Sequence, residues 1–527
     1  MTAPKHPSRH FAAAWFLYTT AVAAAPPNFA EDVAPIIFNH CAVCHRPGEA
    51  APFGLLDYSQ VKRHARQIGE VTADRLMPPW KVAESDFPFR HDRRLTEVQI
   101  RLLREWIDTG MAEGDATKTP PLPRFPDTWP LGEPDLVVKM DRPFPVPAEG
   151  RDLYRNFVVP LNLPEAKWIR AIDFRPGAKS VMHHSLFFFD TTGSARELDA
   201  QDELPGYANR MNFGRRGGGR FDASFAGDNP EDAQFGSLGG WALGGNARQL
   251  PAGLAMRLPK DADLILSSHF HPSGKAEEEI STVALYFAKE PPTEQHTGIQ
   301  LPPLFGALEG LDIPAGEKEY VIEDSFTLPV GVRAFGLGAH AHYLARSMKL
   351  TATLPDGAIK TLAWIKDWDF AWQEQYLFAD YLELPRGTRL DVRITYDNSA
   401  DNPRNPTQPP QRVKWGEQST DEMGSMTLLV VPKIGNELTR LKIAYRTHIR
   451  ESVAERMQGR WSQRAGSNRP GAAAELDKDG DGKITREELP VRQRAMFDRL
   501  DANQNSVLDE AELRELQKLF RAGAEGQ

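Results

Sequence analysis

The sequence predicts a multidomain, mainly β fold, and three observations lead to that class. The chain has 527 residues, which is too many for one hydrophobic core and fits several domains. It contains 41 glycines and 42 prolines, a content that favours strands joined by turns over a helical bundle. Apolar runs of strand length recur through the middle of the chain, for example at residues 185–189, 264–268 and 332–337. The patterns typical of helices lie nearer its two ends.

The first 25 residues have the features of a secretory signal peptide. Lys5 and Arg9 precede an apolar run over residues 11–25, which ends in three alanines. That run is shorter than the roughly 20 apolar residues that span a bilayer, and no comparable run follows it. We therefore expect an exported protein, periplasmic or secreted, with no stable membrane span after signal cleavage.

The charge of the chain narrows the class of partner. Its formal net charge is -9 and it has no long basic run, a balance that argues against nucleic acid or an anionic membrane surface as the main partner. We expect small molecules or proteins to be the partners instead.

The two cysteines of the chain, Cys41 and Cys44, are followed directly by His45. This C-x-x-C-H motif is typical of c-type haem attachment, in which two thiols bind the porphyrin covalently and the histidine ligates the iron. A redox dithiol or half of a zinc site is the alternative, but there is no second cysteine pair for zinc and no thioredoxin-like pattern around this one. The motif predicts a c-type cytochrome domain over residues 26–119, with haem c as its cofactor.

Two residues are candidates for the sixth ligand of the haem iron. Met77 follows a predicted helix over residues 58–75, and the prolines after it would hold it in a rigid loop. His64, within that helix, is the alternative. A further amphipathic helix is predicted over residues 96–107 with Thr96 as its cap, and residues 120–134 are predicted to be a linker.

Six histidines form three tight groups: His183 with His184, His269 with His271, and His340 with His342. Each group lies in or beside a strand-like run. In an H-x-H segment of a strand, both imidazoles lie on one face, where they can share a metal ion. Adjacent histidines point to opposite faces, so the first pair needs a bulge or a strand end to converge. Imidazoles alone suit copper, zinc, iron or nickel.

The order of these groups, followed by Met423 after Asp421 and Glu422, resembles a known enzyme family. The similarity is to the type II, ascorbate-dependent copper monooxygenases, the peptidylglycine α-hydroxylating and dopamine β-monooxygenase family. It covers roughly residues 135–432 and includes the tryptophan, glycine and glutamate at 415–417. It implies two tandem, jelly-roll-like β-sandwich domains that face each other across a cleft, each with one copper. Their expected extents are residues 135–292 and 293–445.

The resemblance implies a copper that stores and passes on electrons. Its three ligands would be His183, His184 and His269. His271 is the alternative to His269 as the third ligand, since the spacing decides weakly between them.

The resemblance also implies a second copper, which binds and activates O₂. Its ligands would be His340, His342 and Met423, which makes these the candidate catalytic residues. Met426 is a weaker alternative to Met423. The division agrees with ligand chemistry, because a thioether stabilises Cu(I), the state that reacts with O₂.

Two features depart from the pattern of that family. No cysteine remains for the disulfides that brace its vertebrate members, so these domains must rely on packing. Peptide-amidating members have an arginine two residues before the H-x-H pair, and here that position is Gly338. A peptidylglycine substrate is therefore not expected.

The C-terminal region is predicted to hold an EF-hand pair over residues 475–520, after a helix and linker over residues 446–474. The expected calcium ligands of the first loop are Asp477, Asp479, Asp481, Lys483, Thr485 and Glu488. Those of the second loop are Asp501, Asn503, Asn505, Val507, Asp509 and Glu512. Ser506 replaces the usual glycine of the second loop, so weaker calcium binding is expected there. A structural calcium clamp is favoured over a signalling switch.

These patterns together predict an exported, copper-dependent monooxygenase that hydroxylates a C–H bond of a small organic substrate with O₂. Electrons from an external donor, a redox protein or an ascorbate-like reductant, would pass through the haem to the three-histidine copper. The first alternative is a non-catalytic haem and copper protein that transfers electrons or binds copper. The second is a zinc hydrolase that uses the same histidines.

Overall fold

The computed structural model describes residues 25–49, 51–125, 129–208, 235–242, 245, 247–416 and 418–466, and in the C-terminal region residues 484–488, 497, 501 and 505–508. Within these residues several β-sheets dominate and helices are few. The mainly β class predicted from the sequence is confirmed. The predicted signal peptide, up to residue 24, lies outside the described residues.

Most of the helices lie in the N-terminal region. The helices are α1 Ala34–His40, α2 Tyr58–Ala73, α3 Glu97–Asp108, α4 Ser194–Asp199 and α5 Leu438–Gly466; a π-helical turn at Phe29–Val33 precedes α1, and 3-10 turns lie at Ala116–Lys118, Pro303–Gly306 and Gly435–Glu437. Among the described helices, none is long and apolar enough to cross a membrane.

The two helices predicted in the N-terminal region are confirmed, and side-chain caps fix where they start. Thr96 accepts a hydrogen bond from the backbone of Gln99, whose side chain bonds back to Thr96, a capping box at the start of α3. Asp57 caps α2 in a similar way. This helix ends at Ala73, before the predicted end, because Arg75 adopts a left-handed conformation with φ of 55°.

The strands carry the rest of the architecture. In chain order they are β1 Val82–Glu84, β2 Leu136–Lys139, β3 Phe144–Val146, β4 Leu153–Pro160, β5 Lys167–Arg175, β6 Met182–Asp190, β7 Phe235–Ala242, β8 Arg248–Gln249, β9 Met256–Leu258, β10 Asp263–Phe270, β11 Glu277–Glu279 and β12 Thr282–Phe287. They continue as β13 Thr297–Leu301, β14 Asp312–Ile313, β15 Tyr320–Thr327, β16 Val332–Ala341, β17 Ala345–Thr353, β18 Ile359–Ile365, β19 Gln375–Leu384, β20 Arg389–Tyr396, β21 Val413–Lys414, β22 Gly424–Pro432, β23 Ile484–Thr485 and β24 Val507–Leu508.

Two sheets formed by residues 136–287 enclose one apolar core. One sheet has the order β4-β10-β6-β7, and the other has the order β2-β12-β5-β8, with β9 also paired to β5. Phe157 and Phe187 of the first sheet share a buried core with Ile172 and Leu285 of the second. Residues that face inward in both sheets therefore pack against each other, as in a β-sandwich. The first sheet carries the first two histidine groups.

A second pair of sheets encloses a separate core. Its sheets have the orders β1-β18-β17-β20-β15 and β13-β22-β16-β19. Leu350 and Ile394 of the first pack with Leu337 and Leu428 of the second. β16 and β22 are neighbours, and they bring the third histidine group and Met423 to the same end of this sheet.

The segment after Met77 joins the N-terminal helices to the second pair of sheets. Trp80 packs edge-on against Tyr376 at 5.0 Å between ring centroids, and β1 pairs with β18. Phe89 forms an isolated bridge to Phe378 on β19. The region that carries the C-x-x-C-H motif is thus anchored on this second core.

The two pairs of sheets meet at a small apolar cluster. Leu250 and Leu254 of the first pack against Phe335 and Val431 of the second, and all four side chains are buried. The N-terminal region also contacts the first pair, through an ion pair of 2.8 Å between Glu49 and Lys179. These contacts position the histidine-bearing sheets relative to each other and to the C-x-x-C-H motif.

Candidate metal centres

The first candidate centre lies where β6 and β10 run side by side. His184 and His269 are directly paired across the two strands, and the register shifts just beyond them, so that Phe270 faces Met182. His183 is therefore the extra residue of a β-bulge, the feature that adjacent histidines need in order to converge. Its Nδ1 atom lies 3.0 Å from Nδ1 of His269 and 3.3 Å from Nδ1 of His184. One ligand atom from each of the three residues lies within 4.8 Å of the others, close enough to hold one metal ion.

The protonation of this trio suits metal binding. Desolvation lowers the pKa of His183 to about 3 and lowers the pKa of His184 and of His269 as well. The three imidazoles are therefore neutral near pH 7, with lone pairs available to a metal. No thiol or carboxylate belongs to the cluster, which fits copper or zinc better than calcium or magnesium.

Asp152, which the sequence analysis missed, fixes the orientation of His269. Nε2 of His269 lies 2.9 Å from Oδ2 of Asp152, so Nε2–H donates to the carboxylate and leaves Nδ1 facing the trio. Burial acts to raise the pKa of Asp152, but hydrogen bonds from His269, His271 and Tyr343 outweigh it and lower that pKa. A carboxylate that holds the second nitrogen of a ligand histidine is a recurrent feature of metal sites.

The two candidates for the third ligand, His269 and His271, differ in exposure and in the groups that they contact. His271 has a side chain that is 67% exposed, and its Nδ1 atom is directed to Oδ1 of Asp152 at 2.9 Å. His269, in contrast, is 1% exposed and belongs to the trio. Tyr154 stacks on the His269 ring at 4.3 Å with an interplanar angle of 6°. His269 is thus the residue that this geometry presents to a metal.

The second candidate centre lies at the shared end of β16 and β22. Nε2 of His340 is 3.0 Å from Sδ of Met423, which is 1% exposed and directly precedes β22. Nδ1 of His340 is 2.5 Å from the side-chain oxygen of Gln373. Nδ1 of His342 lies 3.2 Å from the carbonyl oxygen of Asp421, and donation to it leaves Nε2 as the unprotonated nitrogen.

The ligands of the second centre are also neutral. Burial lowers the pKa of His340 to about 4 and that of His342 to about 3. Met426, the weaker alternative to Met423, is fully buried among the apolar side chains of the second core. Met423 is therefore the thioether that the fold brings to His340. Two imidazoles and a thioether make a soft donor set that suits Cu(I) better than zinc.

Glu422 holds the two ligand-bearing segments of the second centre together. Its side chain is fully buried and accepts hydrogen bonds from the backbone N–H of His342 at 2.6 Å, of Met423 at 2.8 Å and of Leu344 at 2.8 Å. Burial raises the pKa of Glu422 to about 8. The sequence placed this glutamate next to Met423 but gave no indication of its structural role.

Phe370 contacts a histidine of each candidate centre. Its ring centroid is 5.4 Å from that of His269 and 5.5 Å from that of His342. The ring centroids of His269 and His342 are therefore separated by no more than the sum of these two distances. Phe370 itself is 5% exposed. A largely buried apolar ring thus packs against a histidine of each candidate centre.

The residues of the C-x-x-C-H motif are positioned in a way that fits a c-type haem. Nδ1 of His45 lies 3.2 Å from the carbonyl oxygen of Phe53, and donation to that oxygen leaves Nε2 as the ring nitrogen that could ligate a haem iron. Burial raises the pKa of Cys41 to about 12 and also raises that of Cys44. His64 stacks on Phe53 at 3.9 Å, beside His45, while Met77 begins the half-buried loop that leads to Trp80. The structure does not choose between the two candidate sixth ligands.

Part of each EF-hand-like loop is described. Ile484 pairs with Leu508 in a short antiparallel ladder between the two loops. Glu488 accepts hydrogen bonds from the backbone and hydroxyl of Thr485, and Asp501 accepts from the backbone of Asn505 and Ser506. The expected ligands that lie outside the described residues are Asp477, Asp479, Asp481, Lys483, Asn503, Asp509 and Glu512.

Comparison with known proteins gives one informative similarity. The human protein named DBH-like monooxygenase protein 1 is 28% identical to this chain over 218 residues, which cover 38% of the chain and 33% of the human protein. The match thus spans only about a third of that relative. No protein-family model matches the chain.

Similarities to solved structures are too weak to relate the folds. The VP2 subviral particle of infectious bursal disease virus is 10% identical, with a TM-score of 0.17, over 58% of this chain and 73% of that one. A Paenibacillus xanthan lyase is 11% identical, with a TM-score of 0.15, over 60% of this chain and 28% of that one.

Proposed function

We propose that this protein is an exported copper-dependent monooxygenase that hydroxylates a C–H bond of a small organic substrate with O₂. The observation that carries the proposal is a pair of unlike centres, one with three converging imidazole nitrogens and one with His340 Nε2 beside Met423 Sδ at 3.0 Å. Metal sites with only a structural role would not need donor sets of different softness. The partial similarity to a DBH-like monooxygenase supports the same class.

The chain's own residues prepare each centre for a different task. Copper bound at His183, His184 and His269 would supply electrons, and copper at His340, His342 and Met423 would bind O₂. Asp152 and Gln373 orient one histidine of each centre by holding its other ring nitrogen. Preorganised ligands of this kind need little rearrangement between oxidation states.

Phe370 and Glu422 complete the environment of the second centre. The apolar ring of Phe370 packs against a histidine of each centre and would limit the access of water to them. Glu422 keeps the backbone of His342 and Met423 in fixed relation, because both N–H groups donate to its one carboxylate. The substrate would bind beside the second centre.

The substrate is proposed to be a small organic molecule without a required carboxylate. Position 338 is a glycine and so supplies no cationic side chain. An anionic substrate group would find no guanidinium there, unlike the arrangement that the peptide-amidating enzymes use.

Electron delivery is proposed to run through a covalently bound haem. Cys41 and Cys44 would attach it, His45 would ligate its iron, and Met77 is the preferred sixth ligand. An external redox protein or an ascorbate-like reductant would reduce it. The location would be periplasmic or secreted, where c-type haem is attached, and calcium at the EF-hand pair would stabilise the C-terminal region.

The proposal is tested by metal analysis and O₂ consumption on the holoprotein, matured in a host that attaches haem c. We expect two copper ions per haem. We also expect that, when the electron donor is present, one class of substrate raises the rate of O₂ consumption and is converted to a hydroxylated product. Met426→Leu, which alters a core thioether away from the centres, should leave this rate unchanged, whereas His342→Ala should abolish it. Zinc in place of copper would contradict the proposal. So would O₂ consumption that no substrate changes, which would favour a non-catalytic electron-transfer or copper-binding protein.

A further inference from the structure

We propose that Asp152 is a positioning residue shared by both candidate metal centres and that its hydrogen bond with Tyr343 locks them together. The inference rests on the proposed copper function and extends it, because it assigns a structural link between two centres carried by different pairs of sheets. We call these two residues the Asp152–Tyr343 link.

Asp152 accepts hydrogen bonds from residues of both pairs of sheets. Its Oδ2 atom accepts from Nε2 of His269 at 2.9 Å and from the hydroxyl of Tyr343 at 3.1 Å. Its Oδ1 atom accepts from the exposed His271. The side chain of Asp152 is 12% exposed, so these bonds are largely shielded from water. One carboxylate oxygen is thus shared by a ligand of the first centre and by a residue next to the second.

Tyr343 lies next to a candidate ligand of the second centre in the chain. Tyr343 directly follows His342, a ligand of the second centre, while Asp152 directly precedes β4, which pairs with the strand of His269. The hydrogen bonds therefore form a short path from His269 through Asp152 and Tyr343 to the backbone of His342. This path crosses from one pair of sheets to the other.

Phe370 packs against this path along its length. Its ring centroid lies 4.6 Å from that of Tyr343, 5.4 Å from that of His269 and 5.5 Å from that of His342. An apolar ring beside the donors of a shared carboxylate strengthens their hydrogen bonds by lowering the local dielectric constant. The link and the ring together favour one close arrangement of the two centres.

Two consequences follow from this arrangement. A carboxylate acceptor makes the imidazole of His269 a better donor to a metal, which stabilises Cu(II) over Cu(I) at the first centre. The hydroxyl of Tyr343 fixes the distance between the two centres. Removing the carboxylate charge of Asp152 should therefore raise the reduction potential of the first copper. Removing the hydroxyl of Tyr343 should make the distance between the two centres more variable.

The test compares Asp152→Asn and Tyr343→Phe, both nearly isosteric, in copper-loaded holoprotein. Copper content, the reduction potential of the three-histidine copper, and dipolar broadening of the Cu(II) EPR spectrum are measured on the same samples. We expect Asp152→Asn to raise the reduction potential of the three-histidine copper. We expect both variants to weaken the dipolar broadening or to spread it over a wider range, because the distance between the centres is no longer fixed. Asp380→Asn, at an exposed position, and Tyr381→Phe, whose hydroxyl has no hydrogen-bond partner among the described residues, are matched controls that should behave like the unaltered protein.

The outcomes separate the two proposals. If the unaltered protein binds two copper ions, and both link variants keep its potential and its dipolar broadening, the shared positioning role is overturned while the proposed function stands. If the unaltered protein does not bind two copper ions, the proposed function itself fails.

Discussion

The sulfur atom of Met423 lies 3.0 Å from Nε2 of His340, although 83 residues separate them in the chain. The antiparallel pairing of β16 and β22 produces this contact, because it sets Ala341 opposite Gly424 and so brings the ends of both strands together. The thioether is the feature that separates this centre from an all-imidazole site. If both centres bind copper as proposed, a soft thioether at only one of them would suit them to different chemistry.

Loss of the hydrogen bond between Gln373 and His340 should weaken metal binding at the second centre. We expect Gln373→Leu to lower its copper affinity by about 10- to 100-fold, because Nδ1 of His340 loses the group that orients the ring. Copper titration against a competing chelator measures this. Gln375→Leu, at an exposed position two residues away, is the control. Equal affinity in both variants would contradict the assigned role of Gln373.

Removal of the Glu422 carboxylate should destabilise the second pair of sheets. Glu422→Leu leaves three buried backbone N–H groups without their acceptor, and we expect a loss of at least about 3 kcal/mol in the free energy of unfolding. Denaturant unfolding of the metal-free protein measures it. Glu422→Gln keeps one acceptor oxygen and should lose clearly less. A similar loss in the two variants would show that the hydrogen bonds are not the cause.

The packing of α5 against β15 should depend on pH. Burial acts to lower the pKa of His448, but its hydrogen bond to Asp324, at 3.1 Å, outweighs that effect and raises the pKa. A raised folded-state pKa means that the ion pair stabilises the fold below the unfolded-state value of about 6.5, and that this contribution is lost as the pH rises through the folded-state pKa. The free energy of unfolding should therefore fall from pH 6 to pH 8.

Asp324→Asn is the control for this pH dependence. It removes the charge that raises the pKa of His448, so the part of the pH slope that comes from this pair should disappear. Denaturant unfolding at several pH values, for both proteins, measures the difference. An identical slope in the variant would assign the pH dependence to other groups.

The conformation of Ser506 should limit calcium binding by the second EF-hand-like loop. Ser506 has φ of 67°, a left-handed value that costs a non-glycine residue roughly 1 kcal/mol. Ser506→Gly removes this strain and should raise the calcium affinity of the loop by about five-fold. Ser506→Ala keeps the strain and should not. Calorimetric titration with calcium distinguishes the two variants, and an affinity gain in Ser506→Ala would refute the explanation.

The convergence of the candidate ligand histidines was predictable in part, because they lie on strands or directly beside them and the local pattern of these strands is strong. The H-x-H spacing indicated a shared face, and the need for a bulge at His183 is met by the register shift between β6 and β10. The capping box at Thr96 likewise depends on residues close together in the chain. Features of this kind depend on residues close together in the chain, so they can be predicted without knowledge of the tertiary structure.

The groups that orient the ligands could not be predicted in the same way. Asp152, Tyr343 and Phe370 come from three separate segments, and only tertiary packing brings them to the histidines. The pairing of β1 with β18 is similar, since Val82 and Ile365 are far apart in sequence and nothing local marks them as partners. Of these residues, Tyr343 was indicated by its position, because it directly follows the H-x-H pair and so lies near the second centre.

X-ray absorption at the copper edge of the reduced holoprotein tests the central claim most directly. The unaltered protein should show a sulfur atom in the copper coordination shell. Met423→Leu should lose that sulfur, and Met426→Leu, which changes a thioether in the core, should keep it. A spectrum without copper–sulfur scattering in the unaltered protein, or one that Met423→Leu leaves unchanged, would contradict a two-histidine and methionine centre for O₂.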